Sequence, residues 1–128
     1  MPNLIPDDTK HFIVAHIDSI AELEAILFVR NHRDRCWTSQ AVGKQLYLSE
    51  ADTAKVLGKL VDRGFVRAGE KGSGEYQYQP ASRDMARMID QLAEVYATYL
   101  VPVTNLIHRK SRRSIEGLAD AFKFRKEG

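Results

Sequence analysis

TSQAVGKQLYLSEADTAKVLGKLVDRGFVRAGEKGSGEYQYQ, residues 38–79, is the stretch whose reading decides the fold. Ser39 to Tyr47 has the composition of a short helix, with Ala41, Val42 and Leu46 as its buried positions. Ser49 is placed to cap a second helix that runs to Arg63. Thr53, Val56, Leu57 and Leu60 recur at helical spacing and form its inward face. Gly64 follows where a helix needs a left-handed C′ residue. Phe65-Val66-Arg67 and Glu75-Tyr76-Gln77-Tyr78 then alternate like paired strands. Between them lies Ala68 to Gly74, rich in the glycines a tight turn requires. A glycine-rich loop can also cradle phosphate, but such loops run from a strand into a helix, and this one runs from strand to strand. The order is helix, turn, helix, hairpin.

On the N-terminal side, Pro6-Asp7-Asp8-Thr9 reads as a lead-in with a helix cap at Thr9 or Asp8. His11 to Ile17 is short and apolar; a helix is favoured, although period alone does not separate it from a strand. Ser19-Ile20-Ala21-Glu22 fits a capping box. Ile20, Leu23, Ile26 and Leu27 form one apolar stripe of a helix ending near Asn31 or His32, with Arg30 and Arg33 at its negative end. Cys36-Trp37-Thr38 reads as a connector, with Trp37 anchored in the core between this helix and the hairpin.

On the C-terminal side, Pro80 ends the hairpin and Ser82 can cap one long helix over 81–110. Met85, Leu92, Tyr99 and Leu106 share one heptad position, and Met88 and Val95 the next, as in a coiled-coil seam. Pro102 is expected to kink this helix. The stripe either packs on the chain's own core or forms a homodimer seam made by Met85, Met88, Leu92, Val95, Tyr99 and Leu106. Residues 111–128 then form a tail in which Ile115, Leu118, Ala119 and Phe122 would share one face of a last amphipathic helix.

The bulk numbers bound the function. The chain has 128 residues, 44% hydrophobic and 28% charged, which suits one domain with a real core. No apolar run approaches the ~18 residues of a membrane span. The N-terminus lacks the basic and apolar segments of a secretory signal, and a lone cysteine forms no internal disulfide, so a reducing cytoplasm is expected. Formal net charge is +2. Residues 1–60 and 61–107 each carry −1, and residues 108–128 carry +4, so the basic excess sits in the tail with Arg109, Lys110, Arg112 and Arg113. A basic tail suits a polyanion partner and equally a solvated end.

No catalytic or metal constellation stands out. His11 and His16 are five apart, and His32 and His108 stand alone, without a cysteine or carboxylate at ligand spacing. Glu22, Glu24 and Asp90 are acid–base candidates whose spacing suits exposed helix faces. Cys36, beside Arg35, is a redox-sensor candidate, and more simply a small buried or semi-buried apolar residue next to Trp37. The chain is therefore read as a non-enzyme without cofactor or metal.

Leu57-Gly58-Lys59-Leu60-Val61-Asp62-Arg63-Gly64-Phe65-Val66-Arg67, followed by the Gly-tipped hairpin, resembles the winged helix-turn-helix superfamily in the style of MarR- and PadR-type bacterial regulators. The helix after the hairpin is similar to the dimerisation helices of those families. The stretch Ala119 to Lys126 also looks like the end of a group of small bacterial winged-helix proteins without an assigned role. The resemblance implies a mainly α fold with a small β-hairpin wing and a long C-terminal helix: a winged-helix domain over 1–80 (helix-turn-helix 39–63, wing 65–79), a kinked dimerisation helix over 81–110, and a basic tail over 111–128. It further implies a homodimeric transcriptional regulator that binds DNA. The outward face of the second helix would enter the major groove, with Ser49 and Asp52 near its start and Lys55 and Lys59 at base-edge or phosphate positions. Gln40 and Lys44 would meet phosphates, and Lys71 would reach out from the wing tip. A small effector could bind where Trp37, Tyr96 and Tyr99 converge.

One physical point weighs against strong DNA binding. Within 49–63, Lys55, Lys59 and Arg63 are balanced by Glu50, Asp52 and Asp62, and phosphate neutralisation supplies most non-specific affinity. The second reading is therefore a protein–protein interaction module that docks a partner, or an anionic membrane surface, through its basic tail and Phe122/Phe124.

Overall fold

A computed structural model describes residues 4–110 as a mainly helical chain with a small antiparallel sheet. Helix α1 spans Asp7–His16 and α2 spans Ile20–Asn31. Strand β1, Trp37–Thr38, precedes α3 (Ser39–Leu46) and α4 (Glu50–Asp62). Strands β2 (Val66–Ala68) and β3 (Glu75–Tyr78) form the hairpin, and α5 spans Arg83–Thr98. A sixth helix, α6, occupies residues 100–110. The tail at 111–128, with Arg112 and Arg113, lies outside the described residues.

Local chemistry accounts for most element ends. Ser19, Thr38, Ser49 and Ser82 each stand at an N-cap, where the side-chain oxygen accepts an amide three residues on. The end of α4 is a Schellman turn: Gly64 N–H donates to Val61 O and Phe65 N–H to Leu60 O, both at 3.0 Å. Gly64 has φ +82°, and an added Cβ would meet the Ala81 Cβ at 3.2 Å. The first helix departs from expectation. It starts at Asp7 with Pro6 at the N-cap and no side-chain cap, while Asp8 Oδ1 accepts the Thr9 amide at 2.8 Å and Gln91 Nε2 at 3.0 Å. Proline tolerates that site because an N-terminal amide has no intrahelical acceptor.

Three corrections change the architecture. Trp37–Thr38 is a strand, not a connector. It pairs with β3 (Trp37 with Tyr76, Thr38 with Glu75), so the sheet order is β1-β3-β2. With Trp37 pointing inward, the pleat turns Cys36 outward, and the thiol is exposed rather than buried. Second, the long helix is two helices. Tyr99, at φ −124° and ψ 52°, breaks it three residues before Pro102. A continuous helix would set the Pro102 ring against the Thr98 carbonyl, and the break moves proline into the first turn of α6, where it costs no hydrogen bond. Third, the middle of the expected seam, Leu92 and Val95, is part of the chain's own core. Ile89, Leu92, Val103 and Ile107 are 0% exposed and Val95 is 7% exposed in the single chain. Met85, Met88, Tyr99 and Leu106 are half-buried against the same core.

That core gathers Phe12, Ile13 and Ile17 from the first helix and its exit, Leu23, Ile26 and Val29 from α2, Leu57 and Leu60 from α4, and Phe65. Phe65 sits 5.6 Å from the Phe12 ring. Close approach of α3 to α4 depends on Gly43, where a Cβ would lie 2.8 Å from Leu48 O and 2.9 Å from Thr53 Oγ1.

Candidate nucleic-acid interface

The helix pair and hairpin hold the expected contact residues in different states. Gln40 and Lys44 are exposed on α3. The Ser49 hydroxyl is committed to the Asp52 amide at 3.0 Å, leaving the Asp52 carboxylate exposed. Lys55 is exposed on α4. Lys59 instead leans on Glu22, its Nζ 3.7 Å from Oε2. Lys71 is exposed in the hairpin turn, near Glu70. The exposed face of α4 therefore offers Lys55 and Lys59, the latter shared with Glu22, against Glu50, Asp52 and Asp62.

Glu22 is the chief surprise of the charge map. It is 2% exposed, not on a solvent face, and Arg63 from the end of α4 binds its Oε1. The capping box is shifted: Glu22 Oε1 accepts from the Asp18 amide at 3.2 Å rather than from Ser19. Arg63 also reaches Asp18 at 2.7 Å. Lys110 closes the set, with Nζ 2.7 Å from Asp18 Oδ1, 2.9 Å from Ile17 O and 3.3 Å from Ile13 O. A basic residue assigned to a solvated tail thus caps the C-terminus of α1, where the helix dipole favours a cation. Arg109 is exposed beside it. The Lys110 hydrogen bond holds the Asp18 carboxyl below its ordinary range, and the neighbouring cations add to this against partial burial. His16 is depressed by burial and then by Arg63 and Lys110.

The aromatic residues proposed for an effector go to different places. Trp37 packs edge-on against Phe28 (4.8 Å) and His32 (5.4 Å), and its Nε1–H donates to His32 O at 3.2 Å. Tyr96 donates its hydroxyl to Glu24 at 3.0 Å, and burial together with that bond raises its pKa. A shallow groove of about 410 Å³ lies between α2 and the α3–α4 turn, lined by Ile20, Ala21, Glu24 and Gln45 to Leu48. Tyr47 forms its rim, 95% exposed and left-handed at φ 59°.

Sequence reasoning missed a cluster that the sheet assembles. Arg67 stands level with Gln77 in the strand register, and the 33–36 loop closes on the same glutamine through Arg33 O and Cys36 Sγ. Gln77 Oε1 accepts from Arg67 at 3.0 Å, and Nε2 donates to Arg33 O at 3.1 Å. The signal was present as two arginines flanking Asp34 just before Trp37, but only the β1–β3 pairing carries that loop to the hairpin.

Comparison with protein-family models, curated proteins and solved structures found no match. Among the described residues no helix is long and apolar enough to cross a membrane. No group of three or more His, Cys, Asp or Glu is arranged there to hold a metal ion.

Proposed function

We propose that this chain is a winged-helix, DNA-binding transcriptional regulator that acts as a homodimer. One observation carries the reading. The order α2–β1–α3–α4–β2–β3, with β1 pairing β3, sets a two-stranded hairpin directly after a helix–turn–helix pair. In that arrangement the second helix of the pair enters the major groove and the hairpin lies alongside. Lys55 and Asp52 would face base edges, Gln40 and Lys44 would face phosphates, and Lys71 would reach a neighbouring groove. The dimer would use the half-buried Met85, Met88, Tyr99 and Leu106 together with Leu100 and Val101, which are 54% and 62% exposed.

The test is an electrophoretic shift on genomic fragments near physiological salt. Lys55→Glu should weaken binding at least about tenfold, the loss of one good base or phosphate contact. Unchanged affinity removes α4 from the groove. Light scattering of Tyr99→Glu tests the dimer, which should fall to monomer with its helix content intact.

The acidic exposed face of α4 favours a second reading, a protein–protein interaction module that uses the basic tail. Deleting residues 111–128 should then abolish partner capture. An unaltered set of partners would remove the tail from that role.

A further inference from the structure

The groove between α2 and the α3–α4 turn takes no part in the DNA-binding reading. Its volume, about 410 Å³, lies within the range of small-molecule sites, roughly 300–1,000 Å³. Ile20 and Ala21 on one side, and Leu46 and Leu48 on the other, give it apolar walls. All four are half-buried, so each keeps surface for a ligand to cover.

One carboxylate sets the sign of the groove. Glu24 lines it, is exposed, and pairs with no cation among the described residues. Glu24 Oε1 accepts the Tyr96 hydroxyl at 3.0 Å, which anchors the carboxylate and leaves it acceptor capacity to spare. The opposite wall, Gln45 to Leu48, carries no charge. Lys44 before it and Glu50 just beyond Ser49 offset one another.

Tyr47 supplies a second, independent observation. It ends α3 in the left-handed region, φ 59° and ψ 41°, where glycine or asparagine is the ordinary residue. Its side chain is 95% exposed, so the fold gains almost nothing from having a ring there. A strained aromatic residue that stability does not call for, at the rim of a groove, suits a contact made from outside. The face of a tyrosine attracts a cation, and its edge covers apolar surface.

We infer that this groove binds an amphiphilic organic cation, with an ammonium group held between Glu24 and the face of Tyr47 and an aromatic or short alkyl body laid against Ile20, Leu46 and Leu48. Attraction at an exposed carboxylate is weak, so the apolar walls supply most of the affinity and the charge supplies the choice of ligand. Tyr96 is a positioning residue, which holds Glu24 toward the groove.

The site is independent of DNA binding, and its test uses no DNA. The full chain is titrated with benzyltrimethylammonium, with benzyl alcohol as a neutral probe and 3-phenylpropionate as an anionic one. Calorimetry reads the affinity, and NMR shifts at Ala21, Leu46 and Leu48 read the place. The cation should move those signals and bind at least about threefold more tightly than the alcohol, and the anion should bind more weakly still. Glu24→Gln should weaken cation binding about three- to fivefold. Tyr47→Asn should weaken it by a similar factor and raise the thermal midpoint, because asparagine tolerates the left-handed region. A lowered midpoint with unchanged cation affinity makes Tyr47 a structural residue and overturns the inference. So does the absence of cation binding by wild type up to about 10 mM. Equal affinity for the cation and the anion leaves an unselective apolar groove and overturns it too. Self-association that Tyr47→Asn abolishes, without cation binding, gives the groove to a second copy of the chain and likewise overturns the inference.

Discussion

Gly43 and Gly58 sit on successive helices and should respond to the same substitution with opposite signs. A methyl group at Gly43 would meet the backbone oxygen of Leu48 at 2.8 Å, and backbone cannot swing aside. Gly43→Ala should therefore cost about 1–3 kcal/mol, read as a lower urea midpoint. At Gly58 nothing lies within 4 Å of the added atom, so Gly58→Ala should raise stability by about 0.5–1 kcal/mol through helix propensity alone. Arg63→Met should be among the most damaging single changes, at about 3 kcal/mol or more. It leaves the Glu22 carboxylate, 2% exposed, with Lys59 at 3.7 Å as its cation. Tyr78 carries a buried hydroxyl that finds no partner among the described residues, so Tyr78→Phe should leave the thermal midpoint unchanged or raise it. Among these residues only the small size of the two glycines was legible in the sequence. The spacing of Glu22 suited an exposed face, and its partner lies 41 positions away.

Helix α6 invites a test of what ended α5. With Pro102 in a first turn, Pro102→Ala restores an amide that has no intrahelical acceptor. Its effect should stay under about 1 kcal/mol, with unchanged circular dichroism. A rise in helix content would mean that proline, not the packing of Tyr99, holds the break. The helices and hairpin of 38–79 were readable because caps, glycine punctuation and period agree there. The break at Tyr99 was not, since the sequence names the residue that cannot sit mid-helix and not where the chain yields. Strand β1 escaped notice because two residues carry no period, and its partner enters the chain more than thirty positions later. For the same reason the contact of the 33–36 loop with Gln77 was illegible, since its members stand more than forty positions apart. The heptad stripe was read correctly as apolar, but period gives a face and not its neighbour. Here α1 covers α5, and Gln91 reaches Asp8 at 3.0 Å.

The molecule as a whole is tied at one charged junction, where Asp18, Glu22, Arg63 and Lys110 join the ends of α1, α2, α4 and α6. Acid should loosen it in two steps. His16 resists protonation in the fold, so the unfolded chain takes up the proton first. Stability present above the ordinary histidine value of 6.5 falls as pH drops through the depressed folded value. Asp18 is likewise held ionised, and its contribution, present above 3.8, is lost as pH falls through its lowered folded value. Thermal midpoints measured against pH should show both declines, with His16→Gln removing the upper one and Asp18→Asn the lower. The clasp of Lys110 on Ile13 and Ile17 also sets an order of events during synthesis. Helix α1 is made before α5 and α6, which pack with Phe12, Ile13 and Ile17 in one core. Until then that apolar surface stands open, so chains stalled before residue 83 should be cut readily within α1 and captured by chaperones. Released chains that include α5 and α6 should resist both.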